Sequence, residues 1–209
     1  MFLPGGKEQI AGEYQPGWML LSYGKKVSVS SSLEGYPAEN IVDEDARTAW
    51  VAQSNRDMEW AQVDLQRLSS IHAIQVNFDE YGANQKGAVS GVYQSYLIYA
   101  SVNGEDWSLV VDYGTKKTDT PHDYIEFEEP FKARYIKLQN KEYMVSENFS
   151  VRDLRIFGKG QGSTPRAVND FTVERDEADP CKARLCWEAV PDAQGYIVRY
   201  GIAGDKLYN

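Results

Sequence analysis

The feature that most constrains this chain is a succession of short stretches in which apolar and polar residues alternate, each followed by a turn signal. Val27-Ser28-Val29-Ser30 alternates at period two, and so do Trp60 to Leu65 and Ile71 to Phe78, where Ile74, Val76 and Phe78 fall on one face. Tyr96 to Ser101 runs into Asn103-Gly104, two residues that tolerate positive φ, and Trp107 to Val111 is the expected return strand. Tyr124 to Phe127, Arg134 to Leu138 and Leu154 to Gly158 complete the series. About eight short strands with no helix-period stretch between them predict an all-β sandwich or barrel. Residues 23–158 are enough to bury a core. Trp50, Trp60 and Trp107 fall within strand patterns and are expected in it.

Residues 1–22 read as a linker or the tail of an upstream domain, ending in the apolar run Trp18-Met19-Leu20-Leu21. Residues 159–165 are a linker by composition. Alternation then resumes over 166–209, at Phe171 and Val173, at Leu185 and Trp187, and at Tyr196, Val198 and Tyr200. Three such strands cannot close a two-sheet sandwich. They would leave an exposed face and edges that invite pairing with a second chain.

Charge and chemistry narrow the function. The formal charge of -9 repels nucleic acid and disfavours anionic membrane surfaces, but is compatible with neutral polysaccharides. Cys181 and Cys186 are too few for a disulfide framework and match no zinc spacing. No stretch is apolar enough to span a bilayer. The N-terminus lacks a signal peptide's basic start and apolar run, so the chain is expected to begin inside a longer protein. Catalysis has little to build on. His72 lies in a strand pattern, and His122 and Asp123 are neighbours that a strand turns to opposite faces. No Gly-x-Ser-x-Gly occurs, and Ala88 stands where a phosphate loop following Gly82 and Gly87 needs Lys. The pairs Asp79-Glu80 and Glu128-Glu129 read as solvated loop charge. The chain itself is therefore expected not to be an enzyme.

Several pieces in order carry a resemblance: Val29 to Ser32, Pro37 to Trp50, Trp60 to Leu65, Ser101-Val102-Asn103-Gly104-Glu105-Asp106-Trp107, Ala133 to Leu138, and Asp153 to Gly158. Together they resemble the discoidin family, the coagulation factor 5/8 C-terminal type, which includes carbohydrate-binding module family 32. The resemblance implies a discoidin-like (galactose-binding-domain-like) β-sandwich or jelly roll. Leu185-Cys186-Trp187 and Tyr196 to Tyr200 resemble the second and third strands of a truncated, immunoglobulin-like fibronectin type III domain. The combination, opened by Gly17 to Tyr23, is similar to the C-terminal region of bacterial family 43 glycoside hydrolases of the xylosidase or arabinosidase type. That implies a secreted, extracellular or periplasmic parent with a catalytic domain upstream. The module would target this partner to a polysaccharide or glycan.

The loop before Trp50 offers carboxylates, a hydroxyl and backbone carbonyls, the hard oxygens that calcium takes. An Asx-type turn with solvated acids accounts for the same residues. The resemblance implies a structural calcium held by carbonyls of Asn40, Asp45, Thr48 and Arg152, the Thr48 hydroxyl, and the carboxylates of Asp43 and Asp153, where Asp153 replaces a commoner Glu. It also places ligand contacts on loops at one end of the sandwich. The candidates are Tyr36, Arg56, Asp79, Glu80, Tyr81, Asn84 and Tyr143, with packing against its own loop an equal reading for a loop aromatic such as Tyr36 or Tyr143. Galactose binders of the family carry an Arg where Asp79-Glu80 stands, so that donor is missing here. Two other readings remain: a scaffold packed on the upstream domain, and an adhesive domain that binds protein or lipid. An aromatic-lined, open loop cluster favours sugar, whereas flat, closed loops favour scaffolding.

Overall fold

The computed structural model describes residues 17–83, 91–160, 168–179, 181–191, 193, 196, 198, 200–203 and 206–208. It divides into two compact units, Met1–Gln161 and Gly162–Asn209.

The first unit contains β1 (Met19–Leu20), β2 (Lys26–Val29), a 3-10 helix (Ala38–Val42), β3 (Trp50–Val51), β4 (Trp60–Phe78), β5 (Gln94–Ser101), β6 (Ser108–Tyr113), β7 (His122–Tyr143) and β8 (Ser150–Gly160). All pairings are antiparallel. The first half of β4 pairs with β2 and with the second half of β7, which continues through β5 to β6. The second half of β4 pairs with the first half of β7 and with β8, which carries β1 and β3 on its other side. β4 and β7 thus each run through both layers of the sandwich. Four strands predicted separately are two continuous ones, and the reason is a bulge. The register of β4 shifts between Asp64 and Ser69, where Gln66 takes φ 65° and its N–H donates to Asp64 Oδ1 at 2.7 Å. Such a bulge bends a strand without ending it.

Alternation sets the core. Ala61, Val63, Ile74, Val76, Ile98, Ile136, Leu138, Leu154 and Ile156 are buried between the layers, with Trp50 and Phe149 edge to face at 5.8 Å. Trp50 is fully buried as expected, whereas Trp60 and Trp107 are half-buried. Trp107 instead lies beneath the Lys137 ammonium, 4.0 Å from the ring centroid. That cation–π contact lets an aromatic ring sit on an outer face. Between β5 and β6 the Asn103 carboxamide accepts the N–H groups of Glu105 and Asp106, and Gly104 alone takes positive φ (82°), so the turn is longer than the two-residue hairpin. Met19 and Leu20, read above as part of a tail, pair with Gly158 and Phe157 and so belong to the module. His72 stacks on Trp18 at 5.1 Å. His122 is exposed and Asp123 buried, as strand alternation requires.

In the second unit β9 (Thr172–Arg175) pairs with β10 (Ala183–Cys186), aligning Val173 with Leu185. β11 (Tyr200–Ala203) pairs with β12 (Lys206–Tyr208). Trp187 contacts Phe171 at 6.3 Å and Tyr196 at 5.1 Å. The strand expected over Tyr196 to Tyr200 begins only at Tyr200, and Ile197 and Arg199 lie outside the described residues. The linker at 161–165 lies outside them too.

Candidate functional site

Loops following β2, β3, β4 and β7 gather at one end of the sandwich. The stitching comes from amide side chains. Asn55 Nδ2 donates to Ser146 O at 2.8 Å, Asn148 Nδ2 to Ala52 O at 2.9 Å, and Asn140 Nδ2 to Asn55 O and Arg56 O at 2.8 and 3.0 Å. Ser32 Oγ donates to Tyr36 O, and Gln53 Nε2 to Ser32 O. Each bond satisfies a carbonyl that a tight loop cannot satisfy through its own ladder.

Between the loops following β2 and β3 lies an open cleft of about 500 Å³ lined by Ser30, Ser31, Gln53, Ser54, Arg56, Asp57, Met58 and Glu59. Glu59 is its polar centre. Its carboxylate accepts the hydroxyls of Ser30, of Ser31 at 2.8 Å and of Ser54 at 2.7 Å. Burial alone would raise the Glu59 pKa, but these hydroxyls and the Arg56 charge together hold it below the ordinary glutamate value. A cleft of ionised carboxylate, hydroxyls and amide is a hydrogen-bonding surface suited to a polyol. Sequence reading missed Glu59 and its serines, which come from two separate segments.

Tyr36 and Tyr81 meet edge to face, with centroids 4.9 Å apart and planes at 69°. Both are half-buried, so two predicted residues far apart in sequence form one aromatic pair. Arg56 and Glu80 are exposed. Asn84 lies outside the described residues.

Two expected contacts are corrected. Tyr143 is 2% exposed, packed among Phe78, Phe149 and the neighbouring strands, and its hydroxyl donates to Asp79 O. Burial pushes this phenol's pKa well above the ordinary tyrosine value. It buttresses the loop from inside and has no ring face to offer a ligand. Asp79 likewise does not face outward. Its carboxylate takes the Arg152 guanidinium at 2.5 Å.

The loop 40–48 closes on itself. Asp43 Oδ1 accepts the Asp45 N–H and Oδ2 the Thr48 hydroxyl, each at 2.8 Å. The Asp45 carbonyl accepts the Thr48 N–H and hydroxyl at 3.0 and 2.9 Å. The Arg47 guanidinium and N–H hold the exposed Asp45 carboxyl at about 2. Asn40 Nδ2 donates to Ala49 O at 2.8 Å. The 3-10 helix packs on β8, which carries Asp153, 8% exposed. Burial raises the Asp153 pKa, and the Glu44 charge adds to this against the opposing bond from Asn77. Among the described residues no three His, Cys, Asp or Glu side chains converge as a metal cluster. A cation here would depend on carbonyl oxygens as well as carboxylates. The donors fit a hard cation in chemistry, being oxygens only.

The model of the F5/8 type C domain matches residues 26–154, more than half of the chain. Lactadherin of Rattus norvegicus is 33% identical over 110 residues, covering 49% of this chain and 25% of that protein. Lactadherin of Mus musculus is 32% identical over the same length, covering 49% and 23%. The chain thus spans about a quarter of the length of these curated relatives. Chitosan-binding module 1 from a chitosanase/glucanase of Paenibacillus sp. IK-5 superposes with TM-score 0.56 at 20% identity, over 67% of this chain and 99% of that one. The family 32 carbohydrate-binding module of Clostridium perfringens NanJ, solved with galactose, gives 0.53 at 19%, over 68% and 98%. Strand order, core and family match agree: this chain belongs to the F5/8 type C domain family.

Proposed function

We propose that this chain is a non-catalytic carbohydrate-binding module that holds a glycan at the loop end of its sandwich. The observation that carries the reading is a loop end that offers both an aromatic pair, Tyr36 and Tyr81, and a polar cleft of Glu59, Gln53 and serine hydroxyls, the two tied through Ser32, which donates to Tyr36 O and accepts Gln53 Nε2. A pyranose has the matching two characters, an apolar C–H face and a rim of hydroxyls. Similarly folded modules bind such ligands: chitotriose in a Paenibacillus module, galactose in NanJ, and GlcNAc-α-1,4-galactose in a C. perfringens module. In affinity electrophoresis against chitosan, galactan and arabinoxylan, the chain is expected to be retarded by at least one. Tyr81→Ala should weaken binding roughly 3- to 10-fold, the worth of one aromatic contact. Equal mobility on every polysaccharide would sink the reading.

The finer reading places the module in a secreted bacterial glycoside hydrolase of the family 43 xylosidase or arabinosidase type, with the second unit as the opening of a fibronectin type III domain. The Val173–Leu185 register and the Phe171–Trp187–Tyr196 contacts support that second part. A scaffolding role is the second reading, favoured by Trp18, Met19 and Tyr124, which are 36, 41 and 50% exposed on the first unit.

Calcium completes the proposal. Asp43, Thr48 and Asp153, with the carbonyls of Asn40, Asp45, Thr48 and Arg152, would hold it and tie the 40–48 loop to β8. A ligand that binds only the folded state at about 100 times its Kd adds about 2.7 kcal/mol. The expected melting temperature is therefore several degrees higher with millimolar calcium than with chelator. Identical melts would remove the metal from the account.

A further inference from the structure

The fate of the charges around Asp153 carries one step more, resting on the calcium reading. Asp153 is flanked on β8 by Arg152 and Arg155, either of which could neutralise it. Neither forms an ion pair with it. Arg152 gives Nη2 to Asp79, and Arg155 gives Nε and Nη2 to Glu44. Glu44 reaches Arg155 from a backbone at φ 61°, a left-handed conformation uncommon for glutamate.

The group that does bind Asp153 is neutral. Asn77 stands opposite Asp153 in the β4–β8 register, and His122 stands opposite Asn77 in the β4–β7 register. Asn77 Nδ2 donates to Asp153 Oδ2 at 2.8 Å. Its Oδ1 accepts Gln75 Nε2 at 3.1 Å and lies 3.1 Å from His122 Nδ1. These bonds leave only one orientation for the carboxamide. With Oδ1 facing two nitrogens and Nδ2 facing a carboxylate, His122 must carry its proton on Nδ1. Asn77 is 9% exposed and the whole row is in register, so the amide cannot turn without breaking three contacts.

We infer that Asn77, oriented by His122 and Gln75, is the positioning residue of the calcium site. It fixes Asp153 Oδ2 with an uncharged donor and leaves Oδ1 to the cation with the carboxylate charge intact. An arginine in the same place would stabilise the carboxylate equally well but would cancel the charge the cation needs. The arrangement also suits the shorter side chain, because an aspartate pinned by one oxygen offers the other in a fixed direction. Partners of this kind, one bond removed from a metal, change affinity by about 10- to 100-fold when lost.

The test is calcium binding by isothermal titration on the full chain stripped with chelator, with Asn77→Ala and the exposed-site variant His122→Ala. Melting temperatures in calcium and in chelator are taken for each. The expected result is a Kd raised about 10- to 100-fold in Asn77→Ala and shifted the same way by a smaller factor in His122→Ala. The calcium-dependent gain in melting temperature should shrink in step. A purely structural role would lower the chelator melting temperature but leave the calcium Kd unchanged, and that outcome overturns the inference while the metal reading stands. A wild-type chain that takes up no calcium overturns both.

Discussion

Gly158→Ala is expected to destabilise the first unit by roughly 3 kcal/mol, the upper end of what an overpacked methyl costs. Gly158 sits on β8 with Ile71 of β4 on one side and Met19 of β1 on the other. A Cβ there would lie 2.0 Å from the Ser70 carbonyl oxygen and 3.2 Å from the Ile71 Cα. Both are backbone atoms within a sheet, so neither can swing aside as a flexible side chain would, and β4 and β8 must separate. The melting temperature should fall by about 10 °C. Gly160→Ala is the control, two residues along the same strand, where a Cβ meets nothing within 4 Å. It should stay within about 0.5 kcal/mol of the parent in urea unfolding. Similar losses for both would mean that the close approach of β4 and β8 is misplaced.

Asp123→Ala is expected to cost about 3–5 kcal/mol, because it strands a half-enclosed charge. Asp123 Oδ2 receives Lys116 Nζ at 2.5 Å and the Tyr96 hydroxyl at 2.8 Å, and the two charged side chains are only 12 and 22% exposed. Burial, with the Asp123 bond second, drives the Tyr96 phenol pKa far up, so that group stays a donor in need of an acceptor. Removing the acceptor alone leaves an ammonium over the Tyr113 ring and a phenol without its partner. Removing all three polar groups together, as Lys116→Met, Tyr96→Phe and Asp123→Leu, should restore most of the loss. If the single and triple variants unfold at the same urea concentration, the cost lies in packing and not in the stranded charge.

The sheet was largely legible because period-two alternation and burial share one cause. Ile74, Val76 and Phe78 are inward as read, and Asn103-Gly104 does close β5. Continuity of β4 was not legible. Gln66 to Ser70 is a polar stretch that looks like a turn, and only the bulge and the partners on both sides show it to be strand. Trp107 was misassigned because its cover is a lysine from a distant strand, which pattern reading scores as polar. The contact between Tyr36 and Tyr81 was not legible, since it depends on how two loops fold back. The inward placement of Tyr143 and Asp79 was not legible for the same lack. Their partners, Ser150 and Arg152, lie on β8, and nothing local marks an aromatic in a loop-like stretch as core. Glu59 was invisible because its three serine partners come from two separate segments.

The most direct test of the loop-end glycan site is a two-dimensional amide NMR titration of the chain with chitotriose and with galactose, in calcium. Weak binding at about the millimolar level, near -4 kcal/mol, is well within its range. The account predicts shifts concentrated at residues 30–36, 52–59 and 79–83 with at least one sugar, lost in Tyr81→Ala. Shifts confined to the outer sheet face around Trp18, Tyr124 and Phe157, or no shifts with any glycan tested, would contradict it and favour a module that docks rather than binds sugar.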